Sequence, residues 1–154
     1  MISNATAIIC LSKINKLDLI KKLFSKVIIP SAVKEEILVE GKEGLENIKN
    51  AIEEGWIKIL EPKRIIDLGL GKGENEAISL AQEKNETIML DDACAIKAAK
   101  SLEVQYIRST TVILLAYKKK IINKKETIEI LNQLIENGYY ISTKYYSMLL
   151  SKIK

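Results

Sequence analysis

Carboxylates, or an amide in place of one, recur at four places in this chain that a fold could bring together, and hydroxyls follow at a fifth. Asn4 follows the opening Met1-Ile2-Ser3, and Glu35-Glu36 follow Pro30. Glu74 and Glu76 precede the apolar run Thr87-Ile88-Met89-Leu90, and Asp91-Asp92 close it. Ser109, Thr110 and Thr111 come after a further apolar run, Val104-Gln105-Tyr106-Ile107. Carboxylates forced together raise one another's pKa and resist ionisation, unless a divalent cation offsets the repulsion. The chemistry open to such a cluster is metal-assisted, with an activated water and a polarised phosphoryl oxygen.

No histidine is present. That excludes Ser-His-Asp and Cys-His catalysis and every histidine-bearing zinc site. Two cysteines, Cys10 and Cys94, are too few for an all-thiolate zinc centre. Any metal must therefore be held by oxygen, which suits Mg²⁺, Mn²⁺ or Ca²⁺. Both cysteines stand among apolar residues far apart, so they read as buried small hydrophobes rather than a disulfide, and a reducing cytoplasm is the expected setting.

The elements that would position these groups are short. Lys26–Ile29 before Pro30, Trp56–Leu60 before Pro62, Thr87–Leu90 and Val104–Ile107 read as strands, and Met1–Ser3 as a fifth. Between them the period turns helical: Leu45, Ile48 and Ile52 with Gly55 as a stop, then Ala77, Ile78, Leu80 and Ala81, then Ala95, Ala98, Ala99 and Leu102. Ser109 is placed as the N-cap of a helix carrying Val112–Tyr117, and the segment after residue 120 reads as helical. Strands alternating with helices predict βαβ units: an α/β domain with a parallel sheet covered on both faces. In such sheets ligands collect beyond the carboxyl ends of the strands, where the polar residues above fall.

At 154 residues, 47% hydrophobic and 29% charged, the chain is expected to form one domain spanning 1–154. No apolar run approaches the roughly 20 residues a membrane-spanning helix requires. The net charge of +4 is distributed as +4 over residues 1–30, −5 over 31–90 and +5 over 91–154, which allows basic surface beside a carboxylate cluster.

Several of these blocks resemble, in order and spacing, the PIN-like domain family. Ser3-Asn4-Ala5-Thr6-Ala7-Ile8 resembles its opening, and Pro30-Ser31-Ala32-Val33-Lys34-Glu35-Glu36-Ile37 its second block. Gly73-Glu74-Asn75-Glu76-Ala77-Ile78 and Leu90-Asp91-Asp92 resemble its third and fourth, and Gly55-Trp56-Ile57 and Asn137-Gly138-Tyr139 extend the likeness over nearly the whole chain. The resemblance implies a three-layer α/β/α sandwich with a central parallel sheet of four to five strands. It also implies an endoribonuclease dependent on Mg²⁺ or Mn²⁺, akin to the VapC-like toxins, with RNA as substrate, a small antitoxin as partner and a homodimer as assembly. Matched by position, Asn4, Glu36, Glu76 and Asp92 would be the catalytic and metal-binding residues, with Asp91 beside them and Thr110 and Glu74 behind. Asn4 departs from the acidic residue common at its position, and one negative charge is missing; an amide oxygen still ligates a hard cation. The alternative expectation is a PIN-like domain with a weakened site that acts as a protein- or RNA-binding module.

Plainer roles compete at each position. Glu74 after Gly73 suits a helix N-terminus, and Asp91-Asp92 could start a turn or cap a helix. The glycines at 69, 71 and 73 fit no phosphate-loop pattern and read as a turn. Lys118, Lys119, Lys120, Lys124 and Lys125 form the densest basic cluster, read either as a solvated helix end or as an RNA-phosphate patch. Tyr139, Tyr140, Tyr145 and Tyr146 read as core and dimer surface rather than as stacking platforms for bases.

Overall fold

Ile2, Val27, Ile29, Ile57, Ile88 and Met89 are all at most 2% exposed, and this burial on both faces governs the architecture. A strand with no polar face must be covered on both sides, which parallel sheets with flanking helices achieve. In the computed structural model, which describes residues 1–154, five strands pair in parallel, the two at the sheet edges only partly buried. They are β1 (Ile2–Ser3), β2 (Val27–Ile29), β3 (Ile57–Ile59), β4 (Ile88–Met89) and β5 (Tyr106–Ile107), in the order β3-β2-β1-β4-β5. Ser3 pairs with Met89 and Ile2 with both Ile28 and Ile88, so β1 is central.

Helices fill every connection. α1 (Ala5–Lys13) and α2 (Asp18–Phe24) join β1 to β2; α3 (Ser31–Ile37) and α4 (Leu45–Glu53) join β2 to β3. α5 (Lys72–Lys84) and α6 (Ala93–Ser101) precede β4 and β5, and α7 (Ser109–Lys118), α8 (Lys124–Glu136) and α9 (Thr143–Ser151) follow the sheet. The result is a three-layer α/β/α sandwich, with the expected strands at their expected places. No helix is long and apolar enough to cross a membrane.

α4 stops where its sequence requires: Glu54 caps it, and Gly55 takes φ +80°, a left-handed conformation that costs glycine nothing. The reversal delivers Trp56 (8% exposed) to the core and starts β3. α2 has no counterpart in the sequence reading. It is only seven residues long, and its signal is two buried positions, Leu19 and Ile20, with an Asp18–Lys22 ion pair at 2.7 Å across one turn.

One expected cap moves. Arg108, not Ser109, is the N-cap of α7, and Ser109 is its first helical residue. The Ser109 hydroxyl is drawn away from the helix by a carboxylate described below.

The order of strands sets the functional geometry. From β1 the chain steps outward through β2 to β3, then returns to the other side of β1 for β4 and β5. The strand order therefore switches between β1 and β4, and the crevice of such a sheet opens beyond their carboxyl ends. Asn4 follows β1 there, and Asp91 and Asp92 lie just beyond β4.

Candidate active site

Asn4 occupies the centre of the sheet end. Its backbone N–H donates to the Met89 carbonyl at 3.1 Å, which continues the β1–β4 ladder by one residue. Although Asn4 is the N-cap of α1, its side chain caps nothing. The residue is 3% exposed, and its Oδ1 is the one buried side-chain polar atom in the chain without a hydrogen-bond partner. An orphaned acceptor normally costs on the order of 1–3 kcal/mol. A cation or an ordered water meets the need of such an oxygen, so the atom fits a ligand position.

On the β2 side stands Glu76, 4% exposed on α5. Its Oε2 accepts the Ala32 N–H at 3.2 Å, at the N-terminus of α3 just beyond β2. Its neighbour in this role, Glu61, takes the Ser31 N–H at 2.8 Å and the Ser31 hydroxyl. Two carboxylates thus satisfy the free donors that open α3.

Glu36 performs the reciprocal service. It lies one helical turn beyond Ala32, and its carboxylate rests on Gly73 at the start of α5, accepting that backbone N–H. α3 and α5 therefore cross with a glutamate of each engaging the other's N-terminus. Partial desolvation, then the like charge of Glu74, holds the Glu36 pKa above the ordinary glutamate value. Glu74 itself closes a capping box on α5, its carboxylate accepting the Gly71 N–H at 3.3 Å.

The contact explains Gly73, which is more than part of a turn. A Cβ there would lie 2.0 Å from Glu36 Oε1, so any side chain displaces that carboxylate. Gly73→Ala is expected to leave stability within about 1 kcal/mol of wild type, because Ala is the better helix residue and Glu36 is a flexible neighbour. The same change should displace the Glu36 carboxylate by an ångström or so and lower any activity that depends on it about tenfold or more. Unfolding midpoints and activity measured on one preparation check this; unchanged activity would remove Glu36 from the site.

On the β4 side the two aspartates divide. Asp92 is exposed and caps α6, its Oδ2 accepting the Ala95 N–H at 2.9 Å. Asp91, expected as a metal ligand, is committed elsewhere. Its Oδ1 accepts the Ser109 N–H at 3.0 Å and the Tyr139 hydroxyl, and its Oδ2 accepts the Ser109 hydroxyl at 2.6 Å. Asp91 thus fastens the end of β4 to α7 and to the segment after α8. Burial, then the Asp91 charge, pushes the Tyr139 phenol well above its usual pKa, so it remains a donor.

Thr110 is engaged by α9. Fully buried, it shares a 2.8 Å hydrogen bond with the Tyr145 hydroxyl of α9.

The expected single cluster is therefore only partly realised. No three Asp, Glu or Cys side chains stand close enough to hold one metal ion. Asn4 takes the central position without a carboxylate, Glu76 reaches the end of β2 from α5, Asp92 lies just beyond β4, and Glu36 lies against Gly73. Two adjacent cavities follow α1. One of about 230 Å³ is lined by Ile9, Lys13 and Glu36. The other, about 510 Å³, is lined by Thr6, Asp91, Asp92, Arg108, Tyr139 and Tyr140.

Cysteine chemistry takes no part. Burial, with a further push from Asp91, raises the Cys10 thiol to about 11. Cys94, expected inside, is exposed on α6. Iodoacetamide at pH 8 should label Cys94 alone in the folded protein, since about one Cys10 in a thousand would be thiolate. Mass spectrometry of the labelled chain checks it, and equal labelling of Cys10 would contradict the burial.

The lysine cluster is remote from these cavities. Lys118 ends α7 and Lys119 caps it, whereas Lys124 and Lys125 begin α8 behind an Asn123–Glu126 capping box. α7 starts at the sheet end and runs ten residues, so the cluster lies roughly 15 Å along its axis from Arg108. Reasoning from sequence passed over Arg108, although it is one of only two arginines and follows a strand directly.

A strand order that reverses at β1, with carboxylates beyond the strands on either side, defines a class of α/β domain with its site at the sheet end. A family model described as a PIN domain matches residues 1–154, and the chain belongs to that family. Its fold is similar to that of a PilT N-terminus domain protein from the hyperthermophilic archaeon Sulfolobus solfataricus. That likeness has a TM-score of 0.55 and 22% identity, over 73% of this chain and 90% of the other. No curated protein matches the sequence.

Proposed function

We propose that this PIN domain is a divalent-metal-dependent endoribonuclease whose site is the crevice beyond β1 and β4. The observation that carries the reading is the orphaned Asn4 Oδ1, a buried oxygen at the switch in strand order. Asn4, Glu76 and Asp92 would hold the cation, with Glu36 as the outer carboxylate; hard oxygen donors of this kind suit Mg²⁺ or Mn²⁺. A bound cation would neutralise the carboxylates and a phosphate oxygen and make water a usable nucleophile at neutral pH. Glu36 would accept a proton from the attacking water. Glu76 would in addition hold the start of α3 against the sheet end.

Cleavage of single-stranded RNA tests the proposal. Activity should require Mg²⁺ or Mn²⁺ and fall about a thousandfold in Asp92→Asn, in line with the loss of one charge-stabilising group. Undiminished cleavage by that variant refutes the mechanism. The wider role we propose is that of a cytoplasmic toxin, working as a homodimer and silenced by a small antitoxin protein. Co-purification with the product of a neighbouring small gene would support it.

A second reading has its own observation. With an amide at the centre and no three acidic side chains converging, the domain would act as a protein- or RNA-binding module. Calorimetric titration with Mn²⁺ separates the two, since only the nuclease takes up the ion specifically.

A further inference from the structure

From the cavity beyond β4 we infer that Arg108 and Tyr140 form a substrate-binding pair, Arg108 clamping a phosphate and Tyr140 stacking on an unpaired base of single-stranded RNA. The inference deepens the nuclease reading and rests on it for the choice of ligand.

Arg108 and Tyr140 line the same 510 Å³ cavity as Asp92. Arg108 is half-buried, yet no ion pair of the chain involves it, although two aspartates share its cavity. Its guanidinium lies over the Tyr145 ring, 5.6 Å from the centroid, which fixes the side chain while leaving its donors uncommitted. A preset planar fork with free donors suits a phosphate diester. Asp91 does not compete for it, because both of its oxygens are taken by Ser109 and Tyr139.

Tyr140 is the most exposed large apolar residue, at 87%. Its neighbours hold it in place: Tyr139 is tied to Asp91, and Gly138 turns the backbone at φ +92°. An aromatic side chain at the rim of a cavity, covered by nothing and following backbone that its neighbours tie down, is a platform for a base. Every base offers a π face, so this contact is tolerant of sequence, but only an unstacked base can reach it. Duplex RNA keeps its bases stacked and would not engage the ring. Exposure excludes this tyrosine from the core, one of the two places expected for it.

The test is anisotropy binding of a fluorescent mixed-sequence RNA of about ten nucleotides, in chelator so that nothing is cut, across a salt series. Wild type should bind the single strand more tightly than the matching duplex. Tyr140→Ala should weaken the single strand roughly 5- to 150-fold, and Tyr140→Trp should restore it. Arg108→Gln should weaken binding and reduce the salt slope by about 0.7, the loss of one phosphate contact, with Arg108→Lys recovering that slope. Thermal unfolding of each variant establishes that it is folded. Equal binding of strand and duplex, unaltered affinity in Tyr140→Ala, or no RNA affinity in wild type overturns the inference. Because binding is read without metal, pair-dependent affinity with no cleavage would sink the nuclease alone. Cleavage with variant-insensitive binding would sink the pair alone.

Discussion

Asn4→Asp is expected to shift the unfolding midpoint in opposite directions depending on whether the buffer contains chelator or Mn²⁺. In chelator the new carboxylate would occupy a side-chain position that is 3% exposed and where no protein group donates to Oδ1. An unpartnered buried charge is destabilising, here by about 1–3 kcal/mol, or several degrees for a domain of this size. In Mn²⁺ the same oxygen gains a cation beside Glu76 and Asp92, and at a hundredfold excess over the dissociation constant binding adds about 2.7 kcal/mol. Wild type should show the smaller Mn²⁺ response, because its amide contributes a dipole where the variant contributes a charge. RNA cleavage should rise with the metal-bound fraction. Two melting curves per protein decide the matter: if neither responds to Mn²⁺, there is no cation site at the end of β1.

The second large effect belongs to Asp91. Removing its carboxylate in Asp91→Ala leaves the Ser109 N–H, the Ser109 hydroxyl and the Tyr139 hydroxyl without their acceptor. Hydrogen bonds to a charged group contribute about 1.5–3 kcal/mol each, though members of one network do not add, so a loss of about 3 kcal/mol or more is expected by denaturant unfolding. Asp91→Asn retains an acceptor and should lose less. If Asp91 were instead a metal ligand, Asp91→Asn would abolish specific Mn²⁺ uptake while barely altering stability; the network predicts the reverse.

How much of this could be read in the residues differs sharply between fold and site. β2, β3 and β4 were legible because each is a short apolar run beside a proline, glycine or acidic pair, whereas β1 and β5 were read from apolar character alone. α2 was not, since seven residues carry too little periodicity. At the site, Glu76 meets the end of β2 only through the packing of α5 on α3, but the placement of Asn4 and Asp92 after strand ends was legible. Their partners were not, because a carboxylate's choice between a metal and a backbone N–H depends on helices far away in sequence. Asp91 looks like Asp92 on paper, and only the arrival of Ser109 and Tyr139 separates them. The Cys94 environment misled for a related reason: apolar neighbours in sequence are on other faces of α6, and the thiol points outward.

The oxygens of the crevice come from positions as far apart as 4 and 92, and Tyr139, which steadies Asp91, comes later still. A ribosome synthesising the chain therefore completes the crevice late. A nascent polypeptide that has reached only α4 carries Asn4 and Glu36 but neither Glu76 nor Asp92. Under the nuclease reading proposed above, prematurely terminated products would lack half of the cation-holding oxygens and would be inert.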